Sequence, residues 1–364
     1  MDRNQEIVLK RYICLSILDD HSLLLSKLNR VYIYDLNTKT VNPLFIFSYG
    51  IKDIIAQLSP WLRRLFRVDT RYGLKINHNS ILFVRNRMIY EYGILQKSIL
   101  SKITLPRGSR PLNITLVKSL EGFEDGVYFG EYFSNPKKHS VRIFRYVDHM
   151  LKVVYEFAPG AINHVHNLIV DRYRNCIWIL TGDFGAASTI YAAKDNFKAV
   201  EQIVSGDQKY RSCVGFPVKK GLIYATDSQT EVNSIRILTM AKGGWRSTFL
   251  HELNGPCIHA CQIGSFKYFS TSVEGGVNKS TIRAYTTRTP GPGIISSKST
   301  IVRLSQENHV KTIYSNKKDM LPFVLFQFGN ILFPTGDNKI NKLIFSNISL
   351  KQNDLSTTIL DRTT

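Results

Sequence analysis

Strand periodicity, rather than helical spacing, marks most of this chain. The stretch NHVHNLIVDRYRNCIWILTGD, residues 163–183, shows both kinds of strand signal. His164 to Val170 alternates, which predicts a strand carrying His164 and His166 on one face, and Cys176 to Thr181 is the unbroken apolar run of a strand covered on both sides. Asp171 to Asn175 is polar and predicts the turn between them, and Gly182-Asp183 ends the second strand. The same grammar of buried strand, loop opened by a small or acidic residue, and further strand returns from Leu23, Ile81, Val127, Trp178, Leu222, Lys267 and Ile331. With Ser26, Val84, Gly130, Gly182, Thr226, Thr271 and Gly336 as equivalent positions, the steps run from 44 to 65 residues. A four-stranded blade takes roughly 40 to 50 residues, so each step holds one blade and the longer ones carry insertions. The expectation is an all-β fold, a single β-propeller domain over residues 1–364 with seven blades of four antiparallel strands, or six if the first or last hairpin completes a shared blade. Trp178, Ile223 and Phe269 are expected in the packing between blades.

Helical spacing breaks in once. Over residues 48–68, between blades 1 and 2, Ile51, Ile54, Ile55, Leu58, Leu62, Leu65 and Phe66 recur at intervals of three and four, and Pro60 divides the segment into two short helices or kinks it. Arg63, Arg64 and Arg67 close it and are expected on an outward face, which makes the insertion either packing against the propeller's side or a basic amphipathic contact with a membrane, with Trp61 at the interface. A second insertion, Thr286 to Lys298, is rich in Pro, Gly and Ser and reads as a loop.

Composition adds a bias in partner. Lys and Arg number 48 against 28 Asp and Glu, a formal charge of +20 that favours anionic polymers or an anionic membrane face. There is no basic tail and no RNA-binding or zinc-finger pattern, so nucleic acid is not the expected partner. The five cysteines, Cys14, Cys176, Cys213, Cys257 and Cys261, lack paired spacing and read as core thiols, and the sequence assigns no metal ligand and no cofactor. The first residues carry no secretory pattern and no apolar run reaches 18 residues, which predicts the cytoplasm, with the insertion as the route to any membrane contact. The glycosylation-type triplets at Asn113, Asn278 and Asn347 carry no weight in that setting.

Residues at equivalent places in different blades converge in a propeller, so the repeat also predicts a site. At the ends of second strands lie Glu131, Asp183, Asp227 and Ser272, with Glu231 and Glu274 further along the loops; first strands open at Asn113, His164 with His166, Arg211 and His259. Carboxylates, imidazoles and an arginine aimed at one mouth can move protons on a sugar and hold an acidic group. His164, His166, Asp183 and Asp227 are the candidate catalytic groups, and Arg211, Tyr210, Glu131, Glu231, His259 and Glu274 the candidate substrate contacts. Against this stands a turn-capping role for Asp183 and Asp227, in which each carboxylate accepts backbone hydrogen bonds.

The run HVHNLIVDRYRNCIWILTGDFG, with YRSCVGF, GLIYATDSQTEVNSIRIL, GPCIHACQ and FSTSVEGG, resembles a group of sialidase-like, BNR-repeat propeller proteins found in prokaryotes near polysaccharide-synthesis functions. The resemblance spans roughly residues 70 to 345 together with the helical insertion. It implies a propeller with a carbohydrate-facing funnel and the shared polar set His164, His166, Asp183, Arg211, Asp227, Glu231 and Glu274. The Asp-box of true sialidases is absent, since the nearest loops read TGDFGAAST and TDSQTEVNS, and only Arg211, with Arg110 as a second, offers an arginine at a blade start. Propeller polysaccharide lyases offer another parallel, with a His and a Tyr as base and acid; His164, His166 and Tyr210 fit those roles. The functional expectation is therefore a propeller that binds or processes an anionic glycan, as a glycoside hydrolase or polysaccharide lyase. The alternative is a non-catalytic scaffold in a glycan-assembly or membrane-associated complex.

Overall fold

The computed structural model of the chain describes residues 6–276 and 285–361, so Asn278 lies outside the described residues. Among the described residues the strands form seven antiparallel sheets of four strands each, the seven blades of a β-propeller. The chain divides into two compact units, residues 76–253 and residues 1–75 with 254–364.

The unit of residues 76–253 contains three consecutive blades. Blade 3 runs Thr115–Val117, Gly126–Gly130, Val141–Val147, Met150–Phe157; blade 4 His164–Asp171, Cys176–Gly182, Thr189–Lys194, Ala199–Ser205; blade 5 Ser212–Val218, Gly221–Thr226, Asn233–Ala241, Gly244–Leu253. Their second strands are the continuous apolar runs read from the sequence, and Cys176–Gly182 is buried at every position. Fourth strands such as Ala199–Ser205 hold only exposed and partly buried residues, as an outer edge does. Between blades 4 and 5, Trp178 is wholly buried against Leu180, Ile190, Leu222 and Tyr224, meets Trp245 edge-on at 5.4 Å, and donates its indole N–H to Asp171 Oδ2 at 2.8 Å. Burying a side chain of this size stabilises by about 3 kcal/mol or more. Ile223 and, in the other unit, Phe269 are buried as well.

The first strands of blades 4 and 5 depart from strict alternation. Val165 pairs with Thr181 and Asn167 with Leu180, which skips His166; Ser212 pairs with Thr226 and Val214 with Ala225, which skips Cys213. Each skipped residue is a β-bulge, which bends the strand and re-aims a side chain. Side-chain amides take up the carbonyls freed by the bulges: Asn113 Nδ2 donates to His166 O at 3.1 Å and Asn167 Nδ2 to Cys213 O at 2.8 Å.

The other unit holds blades 1, 6 and 7. Blade 7 is built from both chain ends: Asn330–Leu332, Lys342–Ile348 and Ser356–Asp361 are completed by Ile7–Leu9, with Ile7 opposite Ile359. The hairpin from Ile331 thus supplies the first and second strands of its blade, not the second and third, and the blade count stays at seven.

The insertion forms two helices, Ile51–Ala56 and Pro60–Phe66, with Ser59 capping the second through a 3.2 Å bond from Leu62 N and Pro60 as its first residue. Its polarity is the reverse of the expected one. Arg63 and Arg64 are 4% and 1% exposed, while Ile51, Ile54, Leu58 and Trp61 face solvent. Arg63 forks onto Asp69, and Arg64 pairs with Asp319 and Asp354 and donates to Phe326 O. Paired carboxylates and carbonyls make these burials tolerable. The outward basic face that a membrane contact would have used is therefore absent for two of its three arginines. Among the described residues no helix is long and apolar enough to cross a membrane.

Candidate functional site

Blades 4 and 5 bring five of the expected residues into one cluster. His164 Nε2 stands 3.1 Å from His166 Nε2 and 3.2 Å from Asp183 Oδ1, and His166 Nε2 is 4.0 Å from the same oxygen. His166 Nδ1 lies 3.0 Å from the carbonyl of Ser212, which can only accept, so this nitrogen carries the proton and Nε2 presents its lone pair to the cluster. Burial above all, helped by the charges of His164 and Arg211, pushes the His166 pKa down to about 3, and its ring is neutral.

Asp183 follows the last residue of its strand, but it does not cap the turn with its side chain. Oδ2 accepts from Asn163 Nδ2 at 3.1 Å, Oδ1 faces His164, and the Arg211 guanidinium lies 3.7 Å from Oδ1. Burial works to raise its carboxyl, but His164, Arg211 and Asn163 outweigh it and hold the group well below the usual carboxylate range. Its side chain is 27% exposed where those of His164, His166 and Arg211 are under 10%, so the cluster reaches solvent through Asp183. Phe184, half exposed, lies beneath the Arg211 guanidinium.

Arg211 also approaches Asp227, Nε to Oδ2 at 3.6 Å, and thus sits between two carboxylates. Cys213 Sγ stands 3.2 Å from Asp227 Oδ2 and 3.3 Å from His166 Nδ1. Two sets of donor atoms are close enough to share a metal ion: His164, His166 and Asp183, and His166, Cys213 and Asp227. The sequence assigned no such ligand.

Further residues of this unit reach the cluster without having been expected there. The Tyr132 ring meets His164 edge-on at 4.4 Å, and burial, with the nearby Asp227 and Asp183 charges, pushes its hydroxyl up while Arg110 opposes that shift. Tyr132 follows Glu131 at the end of a second strand, the equivalent of Asp183, which was the available signal. Cys213 lies two residues from Arg211; only the bulge reveals that it turns toward Asp227.

The remaining candidates fall elsewhere. Glu131 was expected at a ligand, but its carboxylate is taken up by the side chains of Arg107 and Arg142 and the amide of Arg142, a buried brace. Tyr210 packs partly buried against the Trp178 and Tyr224 cluster, so the tyrosine beside the imidazoles is Tyr132. Glu231 is exposed on a loop that Asn233 closes through Ser228 and Thr226. His259 and Glu274 belong to the other unit, where His259 lies on the strand Cys257–Ile263 and buried Glu274 accepts from Ser272 Oγ at 2.6 Å.

No protein-family model and no curated protein sequence matches this chain. Among solved structures it is similar to an oligogalacturonate lyase in complex with manganese, at 10% identity and a TM-score of 0.57, covering 100% of this chain and 99% of that one. An oligogalacturonate lyase from Vibrio parahaemolyticus follows at 9% and 0.55, covering 99% and 92%, and a chain of the mitotic checkpoint complex at 9% and 0.53, covering 99% and 91%. At such identities these likenesses, to two polysaccharide lyases and one checkpoint assembly alike, show a shared seven-bladed propeller fold.

Proposed function

We propose that this protein processes an acidic polysaccharide at the His164, His166, Asp183, Arg211 cluster, with β-elimination at a uronate as the favoured reaction. One observation carries the reading: a buried arginine and two buried imidazoles converge on Asp183, the side chain through which the cluster reaches solvent. An approaching uronate carboxylate competes with Asp183 for Arg211, and neutralising that carboxylate acidifies the C5 proton. His164 takes that proton on Nε2, where Asp183 pairs with the imidazolium; the C4–O bond breaks as the C4–C5 double bond forms, and a proton from Tyr132 or water goes to the leaving oxygen. The lyases among the structural neighbours support a carbohydrate-processing propeller, and the missing Asp-box speaks against sialic acid cleavage. The net charge of +20 favours an anionic chain.

The test is incubation of the purified protein with polygalacturonate, alginate, heparin and hyaluronan, following ultraviolet absorbance of unsaturated uronate and the appearance of new reducing ends. Both signals together support the lyase. Reducing ends without unsaturation would make the protein a hydrolase, and binding without either would make it the scaffold. Neither binding nor turnover on any of these polymers would overturn the glycan reading.

A further inference from the structure

We propose that His164 Nε2, His166 Nε2 and Asp183 Oδ1 form a binding site for a first-row divalent transition metal ion. The three separations of 3.1, 3.2 and 4.0 Å define a triangle. A point equidistant from its corners lies about 2.0 Å from each, within the roughly 2.0–2.2 Å of zinc–imidazole and zinc–carboxylate bonds. The donors thus already surround an ion-sized position.

The surroundings are those that metal ligands need. His166 donates its other ring proton to Ser212 O at 3.0 Å, which fixes the tautomer with Nε2 free to ligate. Asn163 holds Asp183 Oδ2 at 3.1 Å and leaves Oδ1 to bind alone. Two imidazole nitrogens and one carboxylate oxygen select zinc, manganese, iron or cobalt over calcium or magnesium. Three protein ligands leave at least one position open, on the side where Asp183 reaches solvent, for water or a substrate oxygen. The same observations dispose of the second donor set, because His166 Nδ1 is protonated toward Ser212 O and Cys213 directs its thiol at Asp227. The competing arrangement places a proton on His164 Nε2, shared with Asp183, where the ion would sit; Arg211, 3.7 Å from Asp183 Oδ1, favours it.

The inference rests on the donor atoms and, where the glycan reading holds, it recasts His164 from proton acceptor to ligand, leaving proton transfer to Tyr132, whose ring meets His164 at 4.4 Å. The experiment loads the chelator-stripped full chain with zinc chloride or manganese chloride and, after gel filtration, measures metal per chain and melting temperature. About one ion per chain and a raised melting temperature are expected. Asp183→Asn and His164→Ala should lose the ion, Asn163→Ala should weaken binding about 10–100-fold, and Cys213→Ser should keep it. Cobalt substitution should give d–d bands without thiolate charge transfer. No retained ion and no thermal shift with either salt would overturn the site in favour of the shared proton. Retention that depends on Cys213 and survives Asp183→Asn would overturn it in favour of the other donor set. Metal retention with neither binding nor turnover of any polymer would leave this site standing and the glycan reading fallen; turnover by a chain that retains neither zinc nor manganese would do the reverse.

Discussion

Gly182 lies against the imidazole of His166: a Cβ at that position would stand 2.3 Å from His166 Cε1 and 2.6 Å from Nε2. The φ of Gly182 lies outside the left-handed region, so space rather than φ demands the glycine. Gly182→Ala should displace the ring and with it the 3.1 Å approach to His164 and the 3.0 Å bond to Ser212 O. The expected outcome is loss of glycan processing and of zinc retention in a protein whose circular dichroism still reports sheet. Retention of both would show that the ring position is immaterial.

Asp183→Asn keeps the shape of the side chain and removes its charge. If Asp183 orients His164 or ligates an ion, turnover should fall about 10²–10⁴-fold. The partly exposed position should hold the loss of stability to about 2 kcal/mol. Rate measurements beside urea unfolding separate the two effects, and a variant that unfolds early but keeps full activity in its folded fraction would make the residue structural.

Trp178→Ala tests the packing between blades 4 and 5. Emptying so large a buried site should cost about 3–5 kcal/mol in urea unfolding, and it also strips Asp171 of the indole donor at 2.8 Å. Trp178→Phe, which fills most of the volume, should cost visibly less. Equal losses would assign the effect to the hydrogen bond rather than the cavity.

Asp319 makes the insertion's anchorage sensitive to acid. Burial works to raise its pKa, but the hydrogen bonds and charges of Arg64 and Lys318 prevail and hold it below the ordinary value. A depressed carboxyl stabilises the fold above its unfolded pKa of about 3.9, and that contribution disappears as pH falls through the folded value. Melting temperature should therefore drop more steeply below about pH 4 in the parent than in Asp319→Asn, which has already lost the charge. Parallel profiles would show that the pair contributes nothing.

Local residue pattern was enough to specify the blades. Period-2 alternation, unbroken apolar second strands and the recurrence of the hairpin are local signals, and every strand but Ile7–Leu9, which closes blade 7 from the other end of the chain, pairs with a chain neighbour, so seven four-stranded sheets were legible from residues such as Cys176 to Thr181. Blade equivalence also pointed to His164, His166, Asp183, Arg211 and Asp227 as one group, because a repeated unit returns equivalent residues to neighbouring places. Tertiary structure alone decided what those residues touch. The bulges that skip His166 and Cys213 leave no mark on hydrophobic periodicity, yet they turn both side chains into the cluster. Likewise Arg63 and Arg64 carry a charge that sequence logic sends to solvent. The partners that permit Arg64's burial, Asp319, Asp354 and the Phe326 carbonyl, lie more than 250 residues along the chain. Burial of a charge depends on the groups that meet it, and those are fixed by the closed fold rather than by neighbours in sequence.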